Sequence, residues 1–472
     1  MKIIFFYPDK LTQELFYKYQ NIIFCDRDNF FFYNKKTKRR EKIKFAPLKI
    51  INQDINLVIK EIRSWSSVWS RDTDKGDQID LYQRYLLNKY FEFYQLMKNE
   101  KFKLALFFIA IPHHLDALLI DLVCRNLKIK QIFFETISSL LPYPKNLLIP
   151  LSQHKYFMER YIIKNRISKI NFSQTIARWS EKLKSDSNIE THRIVHIDEF
   201  SYSKNYYISY LMCLFYYSYA SMRQFIGLNK KKNISNYSVL THLKQLSQQR
   251  NFLRFYNQNS LKNLDINLKN SLIIIANYQP EGTSFPMGKD NNNHIDILFK
   301  LRNLGYKNKI FYKEHHDTQN FYLKIIQNTR VGSARSVDYL KILKKLNVDF
   351  LPMNLNVNSK AFDNILPITI SGTIAIERSL KGLKTIVAGN PWYIKMPGII
   401  KFNSLEKNFN LQTINIKKST SIQKKTISFL NNELNYKSII NAPGLGMLEK
   451  KYDSKSIKDY RTKIERIIKI FK

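Results

Sequence analysis

Four short segments hold the residues best suited to chemistry, and each follows an apolar run of strand type. They are Asn277-Tyr278-Gln279-Pro280-Glu281-Gly282-Thr283, Lys313-Glu314-His315-His316-Asp317, Ser371-Gly372-Thr373-Ile374-Ala375-Ile376-Glu377 and Gly389-Asn390-Pro391-Trp392-Tyr393. The third is the most readable. A Ser-Gly-Thr turn between a buried strand and a helix leaves backbone N–H groups open at the helix start. The glycine lets a phosphate come close, two hydroxyls add donors, and the helix dipole favours negative charge. Glu377 stands one turn into the helix, where its carboxylate can accept from ribose hydroxyls. The same residues also fit an ordinary helix start, with Ser371 or Thr373 capping and Glu377 in water.

The Lys313–His316 cluster puts charge and imidazole at a strand end. His315 there can donate to a phosphate or move a proton near neutral pH, or serve as a satisfied surface histidine. Lys313 and Arg335 suit neutralisation of a leaving phosphate. Adjacent histidines should point their rings apart, and no third His or Cys lies at ligand spacing, so no metal is expected. In the first half, Pro112-His113-His114-Leu115-Asp116 occupies the same kind of place after a buried strand. His114 and Asp116, with Asp72 and Asp74, are the candidates for acceptor-side or catalytic groups. Asp116 equally fits a helix cap.

Elements of a particular kind must position these groups. Residues 1–7, 20–25, 104–111 and 131–134 read as strands, and 79–98 and 115–127 as helices. The uninterrupted apolar run 104–111 is what a strand buried on both faces looks like. From 270 the alternation is clearer: strands over 271–276, 309–313, 348–351, 365–370 and 384–388, helices over 292–304, 336–346 and 373–382. Gly305 and Gly382 close two of those helices. Alternating strands and helices of this kind make a doubly wound sheet, whose ligands lie at the carboxyl ends of the strands. That rule selects 277–290, 313–320, 352–359, 371–377 and 389–397.

The 472 residues suit two domains, and 44% apolar content supplies two cores. The net charge of +39 favours polyanionic partners, and the abundance of Lys, Asn and Ile equally fits an A- and T-rich genome with no partner selected for. No recognisable nucleic-acid reader accompanies the charge, and nucleic acid is not expected as a partner. The three cysteines, Cys25, Cys124 and Cys213, have no paired spacing, which fits a reducing cytoplasm. The N-terminus is too short in apolar residues for a signal peptide and reads as a buried strand. Residues 205–222 carry no charge but six tyrosines and three serines. Three fates fit them: a helix packed on the protein, a helix in a membrane interface flanked by Arg223 and Lys230-Lys231-Lys232, or a span.

Over 271–398 the motifs resemble those of the capsule polysaccharide biosynthesis and export family of bacterial surface-carbohydrate proteins, which includes β-Kdo transferases. Gln279-Pro280-Glu281 matches a Gln-Pro-Glu segment, and Lys313-Glu314-His315 a Lys-Glu-His-Pro segment with His316 in place of proline. Arg335-Ser336 with Tyr339, Ser371-Gly372-Thr373 with Glu377, and Gly389 with Trp392-Tyr393 follow in the family's order. The resemblance implies a GT-B-like α/β fold, two Rossmann-like domains facing a cleft. It implies a nucleotide-activated donor, CMP-Kdo in characterised members, and no obligatory metal or other cofactor. Carried over, Gln279, Pro280, Glu281, Lys313, His315, Arg335, Ser371, Gly372, Thr373, Glu377 and Trp392 are expected around the donor.

The chain is therefore read as an N-terminal α/β acceptor-side domain over 1–155 and a helical insertion over 156–265. A nucleotide-sugar-binding α/β domain over 266–450 and a basic helix over 451–472 complete it. The expected function is glycosyl transfer from a nucleotide sugar to a surface polysaccharide or lipid-linked acceptor. The expected place is the cytoplasm, with peripheral contact to an anionic membrane. A two-domain nucleotide-sugar epimerase and a non-catalytic export or assembly protein are the alternatives.

Overall fold

The computed structural model describes residues 2–6, 10–16, 22–26, 29–34, 39–42, 76–108, 115–136, 147–154, 157–160, 206–225, 239–261, 271–277, 287–319, 335–405, 414, 416–437, 439–440 and 454–470, with Tyr19 and Ile176. Gln279, Pro280, Glu281, Asp72, Asp74, His113 and His114 lie outside these residues.

The first sheet is built on four parallel strands: β1 (Lys2–Phe6), β2 (Ile22–Asp26), β5 (Phe102–Phe107) and β6 (Lys130–Thr136). Antiparallel strands extend it on both sides, namely β3 (Asn29–Asn34) and β4 (Arg39–Lys42) beyond β2, and β7 (Leu147–His154) and β8 (Phe157–Arg160) beyond β6. The phenylalanine-rich composition has a direct use here. In-register Phe6, Phe107 and Phe133 stack across three strands with centroids 4.8 and 4.3 Å apart. On the other face Phe108 lies 5.1 Å from both Phe5 and Phe134. Such cross-strand aromatic pairs hold register as well as bury area. Helices α1 (Lys10–Phe16), α2 (Gly76–Asn99) and α3 (Leu115–Asn126) belong to this half.

Helices α4 (Tyr206–Phe225) and α5 (Val239–Asn259) then lead to the second sheet. Its strands are β9 (Leu272–Ile275), β10 (Ile310–Lys313), β11 (Val348–Leu351), β12 (Leu366–Thr369), β13 (Thr385–Val387) and β14 (Ile399–Lys401). All five pairings are parallel, in the order β11-β10-β9-β12-β13-β14. Counted from β9, that order is 3-2-1-4-5-6, the doubly wound arrangement of dinucleotide-binding sheets. Helices α6 (His294–Asn303), α7 (Val337–Lys345) and α8 (Ile374–Leu380) make the crossovers. The five strands expected from sequence all form, β11 over the expected residues and the other four one residue shorter at one or both ends. The sixth, β14, is three half-exposed or exposed residues with no periodicity to announce it. Gly305 and Gly382 adopt φ of 89° and 83°, the left-handed helix ends expected of them.

The chain then returns to the first sheet. Helix α9 (Thr420–Lys437) leads to β15 (Ile439–Ile440), which pairs antiparallel with β7. Helix α10 (Ser454–Ile470) follows and lays Tyr460, Ile464, Ile467 and Ile468 into the core formed by Ile3, Phe5, Phe16, Leu104, Leu106 and Phe134. The basic amphipathic helix expected at 451–472 is thus the cover of the first sheet. Its inward edge is fastened by Thr12 Oγ1 to the Tyr460 hydroxyl at 2.8 Å.

Candidate nucleotide-binding site

The direction of winding reverses between β9 and β12. In open parallel sheets this switch point is where ligands bind. The segments after these two strands both carry residues singled out by sequence, and Asn277 joins them. Its side-chain oxygen accepts from the Thr369 hydroxyl and the Ile370 N–H, each at 3.2 Å. Its amide donates to Ser371 Oγ at 3.4 Å. The Thr369 hydroxyl in turn accepts from the Gly372 N–H at 3.1 Å. A Cβ on Gly372 would stand 2.7 Å from that hydroxyl, so the turn passes close only because residue 372 has no side chain.

Gly389 plays the same part on the next loop. Its N–H donates to the Ile370 carbonyl at 2.7 Å, and the Asn390 N–H donates to the Met287 carbonyl at 3.0 Å. A Cβ at 389 would meet those two carbonyl oxygens at 2.6 and 2.9 Å. The loops after β9, β12 and β13 therefore touch backbone to backbone. Tyr393 props the turn from the same side by donating its hydroxyl to the Gly372 carbonyl at 2.6 Å. Trp392 is buried edge-on against Tyr393, with centroids 5.5 Å apart.

Within the turn, Ser371 is buried, Gly372 half-buried and Thr373 exposed. The capping alternative is not what forms at Thr373. Its backbone is already helical and its side chain makes no cap bond. The hydroxyl instead donates to Glu377 Oε1 at 3.3 Å, while Asn358 Nδ2 donates to Oε2 at 2.5 Å. Glu377 is 8% exposed, so it is not a solvated helix residue. Two donors fix its carboxylate beside the exposed Thr373.

Asn358 belongs to the connection from β11 to β12, and that connection is gripped by α8. Arg378, fully buried, donates to the carbonyls of Val357, Phe362 and Ile365 at 3.2, 3.2 and 2.8 Å. Burial lowers its guanidinium to about 10, with Asp363 working the other way. Lys381 donates to the Asn358 carbonyl. A seven-residue helix is thereby held rigidly enough to aim Glu377.

The cluster after β10 divides in two. Glu314 is fully buried and its carboxylate is filled. It accepts from Arg335 Nη1 at 2.6 Å, the His315 N–H at 2.7 Å, the Tyr312 hydroxyl at 2.9 Å and the Thr318 hydroxyl at 3.4 Å. Arg335 also donates from Nη2 to the Asn277 carbonyl at 2.7 Å. Burial works against the Arg335 charge, but Glu314 and the hydroxyls of Tyr312 and Tyr339 hold its pKa raised. The Tyr256 hydroxyl from α5 completes the knot, accepting from the Glu314 N–H at 3.0 Å and donating to the Leu351 carbonyl at 2.6 Å. The Arg335 guanidinium, expected to face a phosphate, is thus turned inward onto a carboxylate, and Lys313 is buried at the strand end.

His315 and His316 are half-buried. Their rings do not point apart, as adjacency suggested, but stack with centroids 4.5 Å apart and planes at 22°. The chain enters a 3-10 turn at His316. Among the described residues no group of three or more His, Cys, Asp or Glu is placed to hold a metal ion. Asp116 is the second residue of α3, on the first sheet.

Sequence reasoning chose the segments but did not assign every residue that shapes them. Asn277 and Tyr393 stand in the quoted segments without a role of their own, and Asn358 lies in the selected loop 352–359 without being singled out. Tyr256 and Arg378 had no signal, because their partners are main-chain groups distant along the sequence.

No family model matches the chain, and no curated protein does. Among solved structures, a β-Kdo 2,7 transferase from Thermosulfurimonas dismutans aligns over 91% of this chain and 90% of its own, at 8% identity and TM-score 0.30. A UDP-GlcNAc 2-epimerase from Methanocaldococcus jannaschii aligns over 100% and 99%, at 11% identity and TM-score 0.21. The Neisseria meningitidis UDP-GlcNAc 2-epimerase bound to UDP-GlcNAc aligns over the same shares, at 11% identity and TM-score 0.18. Scores this low decide neither fold nor activity; the fold stands on the strand order.

Proposed function

We propose that the chain is a GT-B-type glycosyltransferase that binds a nucleotide-sugar donor at the switch point of its second sheet. The observation that carries this reading is the Asn277–Ser371 junction, with its close-approach glycine and the fixed carboxylate of Glu377. The motif resemblance over 271–398 supports it, and names capsular or other surface polysaccharide as the acceptor class and a CMP-linked sugar such as Kdo as the donor. In this reading the donor phosphate lies against the Ser371–Thr373 backbone and hydroxyls. Glu377 accepts from the ribose hydroxyls. His315 donates to the phosphate or the sugar, with Lys313, Trp392 and the Gln279–Glu281 segment around it. Arg335 acts as a positioning residue through Glu314 and Asn277.

In transfer, an acceptor hydroxyl oxygen bonds to the anomeric carbon as the bond from that carbon to the donor phosphate oxygen breaks. The nucleotide leaves with the electron pair, and the hydroxyl proton passes to a base. His315, Asp116 and His114 are the candidates for that base. Holding donor and acceptor in register and neutralising the leaving phosphate supply the rate.

The test uses labelled nucleotide sugar with and without an oligosaccharide acceptor. Label moving to acceptor only when acceptor is present supports transfer. Release of an altered sugar without acceptor identifies an epimerase, and no turnover of any nucleotide sugar leaves only a binding or assembly role. Glu377→Ala and His315→Ala should each reduce transfer by about a hundredfold or more while circular dichroism shows both variants still folded. Full turnover in either removes that residue from the site.

A further inference from the structure

Helix α4 presents a face that the rest of the described protein does not cover. It is fastened to α5, where the Arg250 guanidinium lies over the rings of Tyr206 and Tyr207, 4.6 and 5.0 Å from their centroids. Arg250 also donates to the Tyr207 hydroxyl at 3.0 Å. Helix α5 is anchored in turn by Phe252 and Tyr256 in the core of the second sheet. On the outer side Ile208, Leu211, Phe215, Tyr219 and Met222 are exposed, Phe215 to 70% and Leu211 to 52%. They recur every three or four residues, so they form one stripe along the helix. Isolated exposed apolar side chains are ordinary, whereas a continuous stripe calls for an occupant.

The chemistry of the stripe selects one. Tyrosine among aliphatic side chains suits the boundary between headgroups and acyl chains. No charged residue interrupts 205–222, and Arg223 and Lys230-Lys231-Lys232 follow it in the sequence. A chain of net charge +39 is attracted to an anionic surface and repels a second copy of itself. No described helix is long and apolar enough to cross a membrane, so the contact has to be made lying flat. We propose that this face of α4 docks on an anionic lipid bilayer, with Leu211, Phe215 and Met222 in the interface. The proposal does not depend on the reaction assigned to the second sheet.

Flotation of the full chain with vesicles tests it, using phosphatidylcholine alone and a 7:3 mixture with phosphatidylglycerol, beside the double variant Leu211→Gln, Phe215→Gln. The wild type should float with the mixed vesicles and far less with phosphatidylcholine, and the variant should lose about tenfold or more in affinity. Both proteins should melt at the same temperature, since the substituted side chains are exposed. Equal binding by the variant, or no preference for the anionic vesicles, overturns the proposal. So does a dimer seen by light scattering without lipid that the double variant dissociates, because the stripe is then an interface between copies.

Discussion

Glu377 and His294 show how much of this domain is set by buried polar groups. Glu377 is aimed by Asn358, so Asn358→Ala should weaken nucleotide binding while leaving most of the stability in place, and Asn358→Asp should do worse by setting a second carboxylate against the first. Calorimetric titration with nucleotide compares the two. His294 is fully buried, with Nδ1 3.3 Å from the Tyr339 hydroxyl. Burial first, and then the Arg335 charge, hold its imidazole well below the usual histidine range. The folded protein keeps it neutral, while the unfolded chain takes up a proton below about pH 6.5. Stability should therefore fall as pH drops below that point, by up to about 1.4 kcal/mol per pH unit from this group. Melting curves of His294→Gln against the wild type should converge as the pH is lowered through this window; parallel curves would show that His294 titrates normally. Arg378→Met leaves at least three buried carbonyls without their donor. A loss of about 3 kcal/mol by chemical denaturation is the expected outcome. None of Asn358, His294 or Arg378 stood out in the sequence, because each is defined by partners distant along the chain.

The elements were more legible than their contacts. Short apolar runs bounded by Gly, Pro or Asn located five of the six strands of the second sheet, since parallel strands buried on both faces cannot help being apolar. The helices between them followed from period and from glycines at their ends. The antiparallel extensions of the first sheet did not show. Strand β4 reads Arg39-Arg-Glu-Lys42, a charged edge with no apolar alternation, and β3 beside it begins and ends in Asn. Nor did composition reveal that Gly389 marks a threefold meeting of loops. Gly389→Ala should force two carbonyl oxygens apart and cost about 2 kcal/mol, read from the denaturation midpoint. A wild-type midpoint would mean that the loops give way there without cost.

On the scale of the whole molecule, the chain runs through the first sheet, then the second, and returns to the first. Helix α10 covers apolar residues of β1, β5 and β6, so removing residues 454–472 should expose that face and leave an aggregating protein. A soluble, cooperatively melting truncation would mean that the return is dispensable. The net charge of +39 is a property at this scale too, and suits phosphate-bearing ligands and anionic surfaces alike. The strand order ties these levels together, because 3-2-1-4-5-6 winding sets the switch point where Asn277 bonds to Ser371 and the turn leads through Gly372 to Glu377. The most direct test is thermal melting of the wild type and Glu377→Ala against CMP, UDP, GDP and their sugars. One nucleotide family should raise the wild-type melting temperature, as a ligand bound only by the folded state must, and the variant should lose that rise. If no nucleotide shifts the wild type, or the same nucleotide shifts both proteins equally, the switch point is not a nucleotide-sugar site.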